Sequence, residues 1–160
     1  MDDKTTGLYF SFFNEIGIIE QLSRALFESK LPSGFLVSHF SVLNHLIRVQ
    51  DGPTPLRLAN AFQVPKTTMT HTLSVLKKHA LIEMRPNPED GRSKCVWLTD
   101  AGRAFRNEAI AGMGPEMVVL AEQFPPEFIA QIVPRLTEIR AFMDAQRDVD
   151  PQSALKQMDN

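Results

Sequence analysis

The hydrophobic period of this chain changes at Leu81, and that change limits what the chain can fold into. Just before it, Met69, Leu73, Leu76 and Ala80 recur at steps of four, three and four, the spacing of one helix face. Leu81 to Arg85 and Lys94 to Leu98 instead alternate in character, as short strands do. Between them lies Pro86-Asn87-Pro88-Glu89-Asp90-Gly91-Arg92-Ser93, a stretch rich in turn formers. Two strands and a long tip make a hairpin. The chain therefore reads as mainly α with one small β-hairpin.

The helices can be placed from their stripes and stops. Leu8 to Phe27 carries Leu8, Phe12, Ile16, Ile19, Leu22 and Leu26 on one face, and Tyr9, Phe10 and Phe13 on a second. A helix apolar on two sides needs two covers, and in a chain of 160 residues the second cover points to another subunit. Pro32-Ser33-Gly34 breaks the pattern. Phe35 to Val49 forms a second helix with Leu36, Phe40, Leu43 and Ile47 as its buried stripe, ended by Asp51-Gly52-Pro53. Thr54 caps a short third helix from Pro55 to Phe62, which buries Leu58, Ala59 and Phe62. Gln63-Val64-Pro65 turns the chain into a fourth helix, Lys66 to His79, whose inner stripe is the one named above.

Beyond the hairpin, Thr99 caps a helix that starts at Asp100. Gly112-Met113-Gly114-Pro115 must kink or break it. Pro125-Pro126 opens a last helix to about Arg147, with Phe128, Ile132, Leu136, Ile139 and Met143 on one face and Pro134 bending it. The polar end, 148–160, reads as a frayed tail.

Several classes of function drop out. No apolar run reaches a membrane span, and the polar start Met1-Asp2-Asp3-Lys4 is no signal peptide, so a cytoplasmic protein is expected. The single cysteine, Cys95, rules out a disulfide framework and a multi-cysteine zinc site, and beside Val96 and Trp97 it reads as a packing residue. His39 and His45 are six apart, which does not align two ligands on one helix face. His71 and His79 lie elsewhere, so no metal site and no cofactor are expected. No Ser–His–Asp pattern or glycine-rich phosphate loop appears, which argues against an enzyme.

Charge points to a partner. The whole chain carries −2, but Arg57 to Arg106 holds nine basic and four acidic residues, a local +5, leaving −7 elsewhere. A basic centre between acidic ends suits a polyanion. Helix, three-residue turn, helix and basic hairpin is the order of a winged helix-turn-helix. One helix fits the major groove of B-form DNA, provided one of its faces is short and polar. Opposite Met69, Leu73 and Leu76 stand Thr67, Thr68, His71, Ser74 and Lys78, and the N-terminal end, Lys66-Thr67-Thr68-Met69-Thr70-His71, is the part expected at bases. Lys77 and Lys78 suit both the sugar-phosphate backbone and the helix dipole; by themselves they read as a solvated face, and it is the helix-turn-helix spacing that turns the reading toward the backbone. Arg92 at the tip can reach a minor groove, with Lys94 and Arg85 on the stems and Asp90 placed to orient Arg92 by an ion pair.

The stretch from Thr54 to Gly102 resembles the MarR family of bacterial transcription regulators. The resemblance is carried by Leu58-Ala59, the turn at Val64, Lys66-Thr67-Thr68-Met69-Thr70 and Leu76-Lys77-Lys78-His79-Ala80-Leu81-Ile82. It is carried above all by Asp90-Gly91-Arg92-Ser93-Lys94 followed by Leu98-Thr99-Asp100-Ala101-Gly102. It implies a winged helix lobe over 35–99, with dimerisation helices at 8–34 and 100–147. It further implies a homodimer on a near-palindromic double-stranded operator, and repression relieved by a small aromatic or lipophilic effector. Arg92 matches the family's wing arginine, and Thr67, Thr68, Thr70 and His71 its base-facing stretch. The implied effector pocket falls on Phe13, His39, Phe40, Met113 and Met117, a set that also reads as plain core. Three positions depart: Pro65 where the family has Ser or Thr, His71 where it has Arg, and Ala80 where it has Gly. A histidine lacks the bidentate fork that arginine offers guanine. The alternative reading is a winged-helix module for protein contact, against which the +5 centre argues, since protein interface cores shed charge.

Overall fold

The computed structural model describes residues 1–146, and its first helix begins before the apolar pattern does. Asp2 sits at the N-cap, where its carboxylate accepts the Thr5 N–H at 2.7 Å. Helix α1 therefore spans Asp3–Lys30 rather than starting at Leu8. The chain then divides into two compact units, Met1–Gly114 and a second from Pro115 onward.

In the first unit, α1 is followed by α2 (Val37–Arg48), α3 (Pro55–Ala61) and α4 (Lys66–Lys78), then strands β1 (Ile82–Pro86) and β2 (Lys94–Leu98), then α5 (Asp100–Ala111). The strands pair antiparallel, with Ile82 opposite Leu98 and Pro86 opposite Lys94. Both threonine caps form as expected: Thr54 Oγ1 accepts from Arg57 N–H and Thr99 Oγ1 from Gly102 N–H. The core is Val42, Leu43, Leu46, Leu58, Ala59, Met69, Leu73, Leu76, Leu81, Ile82 and Val96. It sits where α2, α3, α4 and the hairpin converge, and so holds α4 and the hairpin together.

The buried face of α2 differs from the expected one. His39, Val42, Leu43 and Leu46 are buried, whereas Leu36 is exposed and Phe40 and Ile47 are only half-buried. The segment is apolar on two adjacent stripes, and periodicity alone cannot choose between them. The stripe with a histidine won because that polar ring has a use: Nδ1 of His39 accepts the Leu36 N–H at 2.9 Å.

Ala80 also departs from expectation. It is exposed and lies past the end of α4, with φ of 56°. The chain turns there in the left-handed region, where a Cβ costs about 1–2 kcal/mol. After the entropy that glycine loses on folding, Ala80→Gly should stabilise the protein by roughly 0.5–1 kcal/mol. Thermal unfolding should show a rise of a few degrees; an unchanged or lower Tm would contradict the strain at this turn.

Long-range contacts brace the hairpin. The Asp51-Gly52-Pro53 segment does more than end α2. Gly52 N–H donates to Val96 O and Val96 N–H to Pro53 O, both at 2.9 Å, and the Asp51 carboxylate accepts the Leu98 N–H at 2.9 Å. Gly52 has φ of +83° and lies under the Trp97 ring, where a Cβ would approach within 2.7 Å. At the base of the wing, Thr99 donates its N–H to Leu81 O and its hydroxyl to Ala80 O. Gly102 packs so tightly there that a Cβ would lie 2.0 Å from the Leu81 carbonyl oxygen.

The helix after Thr99 ends at Ala111, and α6 (Gly114–Gln123) begins within the expected break at 112–115. The second unit consists of the rest of α6 and α7 (Pro126–Gln146), which runs through Pro134. Its helices bury no residue fully. Between them lies an apolar groove of about 470 Å³ lined by Met117, Leu120, Phe124, Ile129 and Val133 among others. Arg147 and the tail at 148–160 lie outside the described residues. Among the described residues, no helix is long and apolar enough to cross a membrane.

Candidate nucleic-acid interface

The two faces of α4 separate cleanly. Met69, Thr72, Leu73 and Leu76 are buried, while Lys66, Thr67, Thr68, Thr70, His71, Ser74, Lys77 and Lys78 are all exposed. Thr72 is the member that the apolar spacing missed; its hydroxyl donates to Thr68 O at 3.1 Å, which lets a polar side chain enter the core. Thr70 donates to Lys66 O at 2.8 Å, leaving its oxygen free to accept from a partner. No bulky apolar side chain stands on the outer face, so the helix can approach the floor of a groove.

The start of α4 differs from those of α3 and α5. Its N-cap is Pro65, which makes no side-chain cap bond. The first N–H groups of the helix therefore face outward without a side-chain acceptor, and they carry the positive end of the helix dipole. An anion such as a phosphate suits that end. Lys77 and Lys78 stand in the last turn, where they complement the negative end.

The wing carries Arg92 and Lys94, both exposed. Asp90 orients Arg92 differently from the expected ion pair: its carboxylate accepts the Arg92 backbone N–H at 3.0 Å. No ion pair of the Arg92 guanidinium occurs among the described residues. Arg85, on the stem, is engaged on both sides, by Glu83 and by the Trp97 ring at 5.0 Å from its centroid. Arg106 is also committed, with its guanidinium forked onto Asn44 Oδ1 at 3.1 and 2.9 Å. The local +5 is therefore not all available; Lys66, Lys77, Lys78, Arg92 and Lys94 are its outward-facing part on the recognition helix and wing.

The five residues assigned to an effector pocket are dispersed over several elements. Phe13 lies on α1 and is half exposed, edge-on to Phe12. Phe40 on α2 packs edge-on against Phe27. Met113 is half-buried between α5 and α6, and Met117 lines the groove of the second unit. His39 is a buried structural residue, beside Phe35, which also meets His79 and Phe105. Cys95 is buried and free.

Burial holds His39 below the ordinary imidazole value, with the His71 and His79 charges adding to the effect. His45 is lowered by burial and by Arg48. The unfolded chain, with imidazoles near pH ~6.5, takes up protons first. Stability is therefore whole above about pH 6.5 and declines as pH falls from there toward the folded values. The urea midpoint should be lower at about pH 5.5 than at about pH 7.5. His39→Gln, which keeps an acceptor for Leu36 N–H, should flatten that dependence; an unchanged slope would remove His39 as its source.

Known proteins agree with this geometry. Residues 33–93 match the model of the MarR family. A crystal structure of a MarR family transcription regulator is similar at 26% identity and a TM-score of 0.67, covering 91% of this chain and 97% of that one. The regulator BldR from Sulfolobus solfataricus is similar in fold at 20% identity and a TM-score of 0.71, over 88% and 99% of the two chains. A mutant MarR from E. coli complexed with operator DNA is similar in fold at 23% identity and a TM-score of 0.65, over 81% and 93%. No curated protein matched. The matched segment, running from the turn before α2 to the wing tip, carries the pattern of the MarR family, and the chain has the winged helix-turn-helix fold of that family's transcription regulators.

Proposed function

We propose that this protein is a cytoplasmic, homodimeric repressor that binds a near-palindromic DNA operator through α4 and the wing. The observation that carries the reading is the outer face of α4: short hydroxyls, an imidazole and lysines, all exposed, on a helix whose other face is locked into the core. Lys66, Thr67, Thr68, Thr70, His71 and Ser74 are assigned to the major groove. Lys78 and Lys94 are assigned to phosphates and Arg92 to the minor groove. The operator complex of E. coli MarR, a protein of the same fold, supports the assignment.

Dimerisation is supported by exposed apolar surface on both units. Leu8, Phe10 and Leu22 on α1 are 69%, 71% and 67% exposed, and α7 leaves Phe142 65% exposed. Water-facing surface of that kind is normally covered by a partner, here a second copy. Two recognition helices would then address half-sites about 34–36 Å apart.

The finer reading is that a small aromatic or lipophilic effector lowers DNA affinity. It rests on family resemblance, which assigns the role to Phe13, His39, Phe40, Met113 and Met117, and on the adaptability of aromatic and thioether side chains. His39 would form a wall without offering Nδ1, which Leu36 already occupies.

Selection of bound duplexes from a random pool tests the reading. Recovery of a sequence with two inverted half-sites one turn apart, released by an aromatic acid, is the expected result. A chain that is monomeric and retains no duplex at low salt would leave the winged helix as a protein-contact module.

A further inference from the structure

The wing tip is closed by its own side chains. Asn87 N–H donates to Ser93 O at 3.1 Å, which ends the strand ladder. Asn87 Nδ2 then donates to Ser93 Oγ at 2.8 Å, and that hydroxyl donates on to Asp90 O at 3.1 Å. The other end of the same amide, Asn87 Oδ1, accepts the Glu89 N–H at 3.0 Å. One amide thus uses both its donor and its acceptor to hold the loop, and the Ser93 hydroxyl relays the hold to the backbone at Asp90. Both side chains are half-buried, whereas Glu89, Asp90, Gly91 and Arg92 around them are exposed. An exposed loop of this length is ordinarily mobile and loses entropy when it docks. Here that loss is taken during folding.

We infer that the Asn87–Ser93 clasp is a positioning device for Arg92, which presets the wing arginine for DNA without touching the nucleic acid itself. This inference rests on the DNA-binding reading above. Removing the clasp leaves Arg92 chemically able to bind but no longer held in place, so the loop must be ordered at the moment of binding.

A double-mutant cycle on the duplex recovered by selection tests this. Asn87→Ala should weaken binding about three- to tenfold with the melting temperature nearly unchanged, since the tip lies outside the core. In an Arg92→Ala background the same change should cost less than about twofold. Ser93→Ala should repeat the Asn87→Ala loss, and Ser93→Thr, which keeps the hydroxyl, should restore binding. An equal loss with and without Arg92 would overturn the inference, because the clasp would then act elsewhere. So would full affinity in both Asn87→Ala and Ser93→Ala. A failure of the underlying reading looks different: the wild-type protein itself would retain no duplex, or Arg92→Ala alone would bind as wild type.

Discussion

Gly102→Ala is expected to remove about 3 kcal/mol or more of stability, and to lower Tm by roughly 10 °C or more. The cause is steric and falls on backbone. A Cβ at this position would lie 2.0 Å from the Leu81 carbonyl oxygen and 2.9 Å from Leu98 Cδ1. A side chain could swing away, but the Leu81 carbonyl cannot: it accepts the Thr99 N–H, and Thr99 in turn holds Ala80 and the start of α5. Relief requires α5 to lift off the base of the wing, which breaks the cap and opens the core beside Ile82. Against a total stability of about 5–15 kcal/mol such a loss is large. Gly91→Ala is the control, because nothing lies within 4 Å of a Cβ there. Thermal melts of the two variants decide the matter: equal Tm values would mean that the approach at Gly102 relaxes without cost.

Salt is expected to produce the largest change in DNA binding. The chain turns Lys66, Lys77, Lys78, Arg92 and Lys94 outward on the helix and wing, and the proposed dimer would double that set. If most of these cations neutralise phosphates, raising salt from about 50 to about 200 mM should cost roughly a thousand- to a hundred-thousand-fold in affinity. Lys94→Ala should lower the slope of log K against log salt by about two, one phosphate contact from each subunit of the proposed dimer. Fluorescence anisotropy over a salt series measures both. A flat series would favour the protein-contact alternative. A normal slope in Lys94→Ala would remove the wing's phosphate contact from the interface while leaving α4 in it.

Much of this could be read before any coordinates. The helix and strand positions follow from spacing, and the stops at 32–34, 51–53 and 112–115 from residue types that cannot continue a helix. The polar face of α4 was legible for the same reason: its inner stripe is regular, so its outer face is known. Arg92 stood out from its place on the basic hairpin tip, and the family resemblance matched it. What spacing misjudged were features with two local solutions. The α2 segment offers two apolar stripes, and Asp90 can reach either the guanidinium or the backbone N–H of Arg92.

By itself, then, the order of residues determined which segments are helix or strand, where each ends and which side of the recognition helix is polar. These properties depend on neighbours three or four positions apart. Only the tertiary structure decided that Asp51 holds the Leu98 N–H across 47 positions, that Gly102 must lack a side chain because Leu81 occupies the space, and that Asn87 locks Ser93 across the wing tip. Those contacts join groups that have no local reason to meet, and they form only when the hydrophobic core has brought the elements together.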